Sequence, residues 1–323
     1  MVNHEQLLLN FYGSIDNSDL AASYYYLKRR IDYAAGVFHF KNYYNSAVTS
    51  VGELLPADSF FSERNYGLFG VASYPLSTFR RLDLQLQLYR SERTLYEPDW
   101  TGYYLVPYDE RTVTLAQPSL SFAHDSAFFG PFGPVTGSRV ALTVAPSLSL
   151  GGDTLDRRTY IADVRRYWMP ARRNTVALRL MGALSEGDDP RTFVLGGPFT
   201  LRGHRFFDYE TLDNLAGSRL LMLNLEYRLP LLDHVIFGWP GRWGLSRIGA
   251  TLFFDTGAAW DGELRMCGDD ADGRWGLRDL RADYGLGLRA RVLFLPIKLD
   301  WAWKTDLRTS QAPVFHFSIG PEF

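Results

Sequence analysis

The feature that most constrains this chain is a strict alternation of apolar and polar residues that recurs along most of its 323 positions. In the stretch from Leu82 to Arg90, Leu82, Leu84, Leu86 and Leu88 fall on one side. Asp83, Gln85, Gln87 and Tyr89 fall on the other. Successive side chains of a strand point to opposite faces, so period two specifies β-structure. Leu221, Leu223, Leu225, Tyr227 and Leu229 alternate in the same way with Met222, Asn224, Glu226 and Arg228. Ile297, Leu299, Trp301 and Trp303 alternate with Lys298, Asp300, Ala302 and Lys304. Helical periodicity is hard to find, and no run reaches the ~18 apolar residues of a membrane helix. The nearest, Leu220 to Leu232, is interrupted by Asn224, Glu226 and Arg228.

A soluble sandwich would alternate too, but three features favour a barrel in a membrane. The segments 137–150, 156–169, 245–259 and 281–295 each exceed ten residues. A tilted membrane strand needs about 9–11 residues, whereas globular strands average roughly 5–6. The polar face carries full charges while the apolar face is rich in leucine and aromatics, which suits lipid outside and water inside. The connections alternate in length. The pattern predicts fourteen strands in one domain, near 5–13, 20–29, 31–42, 65–76, 79–91, 111–124, 137–150, 156–169, 172–184, 217–229, 245–259, 281–295, 297–306 and 312–323. Tight turns are expected near Arg29-Arg30, Ser77-Thr78, Pro170-Ala171 and Pro296. Long loops are expected near 43–63, 92–110, 185–216 and 260–280, as short periplasmic turns and long external loops require. The Gly- and Pro-rich stretches 125–136 and 230–244 are expected as ordered excursions on the short side.

Aromatic residues make up 15% of the chain, more than a soluble enzyme usually carries and in keeping with interfacial girdles. Tyr24 to Tyr26, Trp100 with Tyr103 and Tyr104, Trp239 with Trp243, and Trp301 with Trp303 are the expected anchors. A net charge of −2 gives no basic field for nucleic acid. Cys267 stands alone, which excludes an internal disulfide, and the six histidines show no metal-ligand spacing. No cofactor is implied. His124, Asp125 and Ser126 are adjacent on a strand and point to alternate faces, so they form no catalytic relay. Gly196-Gly197 lacks the strand–helix context of a phosphate loop. The opening Met1-Val2-Asn3-His4-Glu5 has no signal-peptide pattern, which leaves a soluble protein or a mature or truncated piece of an exported one.

Two motifs stand out against this frame. Gly196-Gly197-Pro198-Phe199-Thr200-Leu201-Arg202-Gly203-His204 is a glycine-rich loop with one arginine, and Phe253, Asp255 and Gly257 follow on a strand. Thr251, Phe253 and Asp255 alternate with Ala250, Leu252 and Phe254, so Asp255 lies on the polar face. Asp255 is the expected partner of Arg202, with Glu226 and Asp300 as alternatives on the same face. Phe315, Phe317, Ile319 and the terminal Phe323 share one side of the last strand.

In these motifs, their order and the terminal phenylalanine, the chain resembles the C-terminal barrel of the BamA-type surface-antigen superfamily of outer-membrane insertases and translocators. The match is strong from about 190 to 323 and diffuse before it. The loop motif is Leu201, Arg202, Gly203 and His204, with histidine where the family usually has an aromatic, and the partner motif is Phe253, Asp255 and Gly257. The resemblance implies that Arg202 anchors the loop inside the barrel and that there is no enzymatic activity. It implies an outer-membrane bilayer around the chain, with unfolded outer-membrane protein clients and periplasmic or lipoprotein partners. It also implies sixteen strands, with the motif loop between the eleventh and twelfth. Here that loop joins the ninth and tenth, so two leading strands are expected to be missing, as are the periplasmic POTRA repeats or Tol-like propeller. A fragment, a late start and a degenerate paralogue all fit. Three functions follow: an insertase or translocator with a lateral seam, a passive pore, and a barrel enzyme whose Ser, His and acid cannot be assembled from the sequence.

Overall fold

A computed structural model describes residues 5–13, 18–45, 48–53, 55, 59–99, 101, 104–130, 133–171, 173–205, 215–238, 243–269, 275–292 and 295–320. These residues are all-β. The strands are β1 (Glu5–Gly13), β2 (Ser18–Tyr26), β3 (Asp32–Asn45), β4 (Phe60–Ser77), β5 (Arg80–Pro98), β6 (Leu105–Asp125), β7 (Phe128–Phe129), β8 (Pro134–Gly152), β9 (Arg157–Ala171) and β10 (Asn174–Gly187). They continue with β11 (Phe193–Val194), β12 (Ala216–Gly217), β13 (Arg219–Phe237), β14 (Trp243–Trp260), β15 (Cys267–Asp269), β16 (Trp275–Leu277), β17 (Arg281–Val292), β18 (Leu295–Thr305) and β19 (Val314–Ile319). Fourteen of them form one hydrogen-bonded path, β1-β2-β3-β4-β5-β6-β8-β9-β10-β13-β14-β17-β18-β19, with β1 and β19 at its ends. β7 folds onto β8, and β11–β12 and β15–β16 are separate two-stranded ribbons.

The fourteen strands of the path are those expected from the alternation, but several are longer. β5 runs to Pro98 and β6 starts at Leu105, so most of the expected loop 92–110 is strand. The expected excursion at 230–244 extends the β13–β14 hairpin through a register shift between Pro230 and Leu232. The one at 125–136 contains β7, paired with β8. Phe323, Trp100, Tyr103, Trp239 and the side chain of Trp243 lie outside the described residues.

The chain divides into two compact units. The first comprises Met1–Ala123, Ala141–Ile161 and Leu184–Thr192. On β5, Leu84 and Leu86 are exposed while Gln85 and Gln87 are on the more covered face. The pattern changes where the strands extend past the alternating stretch. There Phe61 and Leu95 pack with Leu55, and Val113 and Leu115 pack with Val51 and Leu155, all buried. The segment around Val51 is held down by polar bonds. Glu63 accepts from Ser50 N at 3.0 Å and Ser50 Oγ at 2.7 Å. Glu53 takes Arg93 at 2.5 Å and Arg111 at 2.8 Å. The Arg157 guanidinium donates to the Val51 carbonyl. The strand extensions escape the period-two signal because their covered face mixes apolar Phe61, Leu95, Val113 and Leu115 with polar Glu63, Ser91 and Arg93, packed beneath chain rather than facing water.

The second unit comprises His124–Val140, Ala162–Ala183 and Phe193–Phe323. Its sheet from β13 to β19 separates two faces sharply. Leu225, Leu252, Leu286, Phe315, Phe317 and Ile319 are exposed on one. Asn224, Glu226, Thr251, Asp255, Asp283, Arg289, Lys298 and Asp300 are buried on the other. Leaving so many large apolar groups in water forgoes roughly 25 cal/mol per Å² of apolar surface. A continuous exposed apolar band marks a surface whose solvent is not water. Burying that many charges is tolerable only if they are paired.

Candidate functional site

The segment between β10 and β13 is closed at its base by the β11–β12 ribbon, where Phe193 pairs with Gly217 and Val194 with Ala216. Inside it the chain folds into a compact ring. Gly197 N donates to His204 O at 2.7 Å, and Thr200 Oγ1 bridges Gly196 O at 2.6 Å and Gly196 N at 2.8 Å. Gly196 and Gly197 have φ of 136° and 80°, a region that side-chain-bearing residues avoid. Leu195 and Leu201 are buried beneath the ring, which carries Arg202 onto the polar face of the sheet.

There the guanidinium is almost fully enclosed. Arg202 Nε donates to Asp255 Oδ2 at 2.7 Å and Nη2 to Asp255 Oδ1 at 2.8 Å, a two-pronged contact. Nη1 donates to Glu226 Oε1 at 2.6 Å. The planar cation lies 3.6 Å from the centre of the Phe253 ring, close enough for cation–π attraction. Asn224 Nδ2 donates to Asp255 Oδ1 at 2.8 Å and to Thr200 O at 2.7 Å, tying acid and loop together. Glu226 also takes Arg228 at 2.7 Å.

Each residue of the strand motif has a geometric task. Phe253 forms the floor under Arg202, and its ring in turn needs the bare backbone of Gly285, where an added Cβ would stand 2.3 Å from the ring. Asp255 receives the fork. Gly257 leaves room for Leu195, whose Cδ1 would be 3.2 Å from an added Cβ. His204 Nδ1 lies 3.5 Å from Asp283 Oδ2. Asp283 is directly opposite Asp255 in the β14–β17 register, so residues two apart in the loop meet acids on adjacent strands. Gly203 between them passes so near β17 that a Cβ would be 2.5 Å from Asp283 Cβ.

Of the two alternative acids, Glu226 shares Arg202 with Asp255, whereas Asp300 is taken by Arg289 at 2.7 Å. The strand register explains this: Asp300 faces Gly287, two positions from Arg289, and its carboxylate lies over that glycine. The sequence reading missed Asn224, Asp283 and His316. The first two sit at polar positions of strands whose alternation was legible. His316 Nε2 lies 2.6 Å from the carbonyl oxygen of Arg202, joining the loop to β19. Its neighbours Phe315, Phe317 and Ile319 are exposed on the opposite side of that strand. His124 contacts Ser138, with Nε2 at 3.2 Å from Oγ, while Asp125 pairs with Arg139 at 3.0 Å.

The tight approach of Gly203 gives a first test. Gly203→Ala is expected to lift the loop from β17 at a cost of about 1–3 kcal/mol, the usual range for overpacking. Gly70→Ala, where a Cβ meets nothing within 4 Å, is the control. Limited proteolysis should cut the Gly203→Ala loop faster than either the parent or the control.

An antiparallel all-β sheet with a continuous apolar face, buried charges on the other, and a loop pinned among those charges defines an outer-membrane β-barrel. The Omp85 superfamily domain matches residues 57–323, and the chain belongs to that superfamily. Among solved structures it is similar to BamA from Haemophilus ducreyi lacking POTRA domains 1–3. That match has a TM-score of 0.68 and 14% identity, and covers 98% of this chain and 64% of the other. CdiB from Acinetobacter baumannii matches with a TM-score of 0.55 and 14% identity, covering 98% of this chain and 53% of that one. CdiB from Escherichia coli matches with a TM-score of 0.52 and 14% identity, covering 94% and 52%. The chain thus spans about half to two thirds of these proteins. No curated protein sequence matches it.

Proposed function

We propose that this chain acts on unfolded outer-membrane or exported polypeptides, through the outer edge of its last strand, β19, and with the Arg202 loop as an internal lock. The observation that carries the reading is the bond from His316 of β19 to the Arg202 carbonyl. It makes the pinned loop and one end strand parts of a single hydrogen-bonded assembly. Among the described residues β19 pairs with β18 over six positions, from Ala302↔Val314 to Ile297↔Ile319. Its other edge is the last of the path, and a strand edge can template an incoming strand through backbone hydrogen bonds.

The test is reconstitution into phosphatidylcholine vesicles and measurement of how fast a urea-unfolded eight-stranded outer-membrane barrel folds into them. Vesicles carrying this protein should accelerate folding several-fold over empty ones, and His316→Ala should change that acceleration. Steady conductance without any acceleration would favour the passive pore instead.

A further inference from the structure

On the apolar face of the first unit, the side chains of β2 to β5 leave a groove of about 400 Å³, within the roughly 300–1,000 Å³ typical of small-molecule sites. Strand register explains it. Tyr24, Ala35, Gly70 and Leu86 form one row across the four strands. Tyr26, Tyr33, Ala72 and Leu84 form the next. Cross-strand partners share a face, so Ala35, Gly70 and Ala72 make a floor between a tyrosine wall and a leucine wall. A Cβ added at Gly70 would meet nothing within 4 Å. The groove ends at the tight turns, among cations. Tyr74 follows Ala72 on the same face, and the Arg30 guanidinium lies over its ring, 4.8 Å from the centre. Arg80 of β5 shares the face of Leu82, Leu84 and Leu86 by alternation. The acids of these two turns, Asp32 and Asp83, alternate onto the other face, where Asp83 Oδ2 accepts from Arg81 Nε at 2.9 Å. Among the described residues no carboxylate pairs with Arg29, Arg30 or Arg80.

We propose that this groove holds an anionic diacyl phospholipid. The phosphate accepts from Arg30 and Arg80, and one acyl chain lies over Gly70 and Ala72 between the two walls. A phosphate takes guanidinium N–H groups in pairs, and its oxygens can accept from both turns at once. The Tyr74 ring engages Arg30 by its face, which leaves the N–H edges of that cation for the phosphate. A zwitterionic headgroup brings an ammonium to the same cations and is repelled, so the site selects net negative charge. The tight turns of such barrels lie at the membrane surface, the depth of a headgroup, and each Lys or Arg there attracts anionic lipid. The groove adds what a bare basic surface lacks, a defined place for the chain.

Native mass spectrometry of the full chain, released from a nonionic detergent, tests this with dioleoyl phosphatidylglycerol as the probe. Dioleoyl phosphatidylcholine is the control for the chains and glycerol phosphate the control for the head alone. One phosphatidylglycerol should be retained per chain, at least fivefold more strongly than phosphatidylcholine, with no glycerol phosphate retained. The double variant Arg30→Gln/Arg80→Gln should bring the two lipids within twofold of each other. Gly70→Phe fills the groove without changing charge and should weaken phosphatidylglycerol retention at least threefold. Arg81→Gln, on the other face, should leave the preference intact. The heat-dependent gel shift checks that each variant is folded. Equal retention of the two lipids by the parent chain would overturn the proposal, as would glycerol phosphate binding as well as the lipid. Retention unchanged in Gly70→Phe would overturn it too, and so would an Arg81→Gln loss matching that of the double variant.

Discussion

Replacing Arg202 with alanine is expected to free the segment between β10 and β13 while leaving the barrel standing. The substitution would take a cation from the Asp255 and Glu226 carboxylates, both enclosed on the polar face, with Asn224 and Arg228 among their remaining partners. Breaking a buried pair by removing one member costs about 3–5 kcal/mol. A solvated surface pair, worth about 0–1 kcal/mol, could not hold a segment of this length against its conformational entropy. The loss falls on the loop because the ladder between β13 and β14 is backbone hydrogen bonding from Arg219↔Trp260 onward and does not pass through Arg202. Limited proteolysis between Phe193 and Leu215 should accelerate strongly, with the gel shift of the folded barrel retained. Arg202→Lys should fall between the two, because an ammonium supplies a point charge but cannot reproduce the two-pronged contact.

The second large effect is expected on the apolar face. Leu86 is exposed on β5, opposite Gly70 of β4, and its neighbour Gln87 is on the other face. Leu86→Arg places a guanidinium against lipid, at about 2–4 kcal/mol near the bilayer midplane. Gln87→Arg keeps the charge on the polar face and should be tolerated. Folding yields into phosphatidylcholine vesicles separate the two, and equal yields would put the faces the other way round or the sheet outside a bilayer.

Much of this was legible in the chain because a β-barrel writes its two solvents into alternate positions. Leu82 to Leu88 and Leu221 to Leu229 showed the strands, and the Thr251, Phe253, Asp255 series placed the acid of the motif on the polar face. Strand ends were less legible. Past Ser91 the covered side of β5 becomes Arg93 and Leu95, packed beneath the segment around Val51, and no lipid–water contrast marks the continuation. The Arg202 site was legible by pairs and not by network. One cation suggested one acid, whereas the guanidinium engages Asp255 and Glu226 together and rests on Phe253. Asp300 shares the polar face with them but is held by Arg289, a choice set by strand register, which alternation alone does not reveal. His316 was hidden for a different reason. Its partner is the Arg202 backbone carbonyl, an acceptor every residue carries, so no side-chain pattern could announce it.

The most direct measurement is a double-mutant cycle on Arg202 and Asp255, read by urea unfolding of the segment as followed by its protease protection. Arg202→Ala, Asp255→Ala and the double variant would each be compared with the parent chain. Side chains that bond directly within one network are expected to couple by about 1–3 kcal/mol, so the double variant should lose much less than the sum of the single losses. Additivity within about 0.5 kcal/mol would mean that Arg202 and Asp255 do not meet, and that the loop is held by something other than this pair.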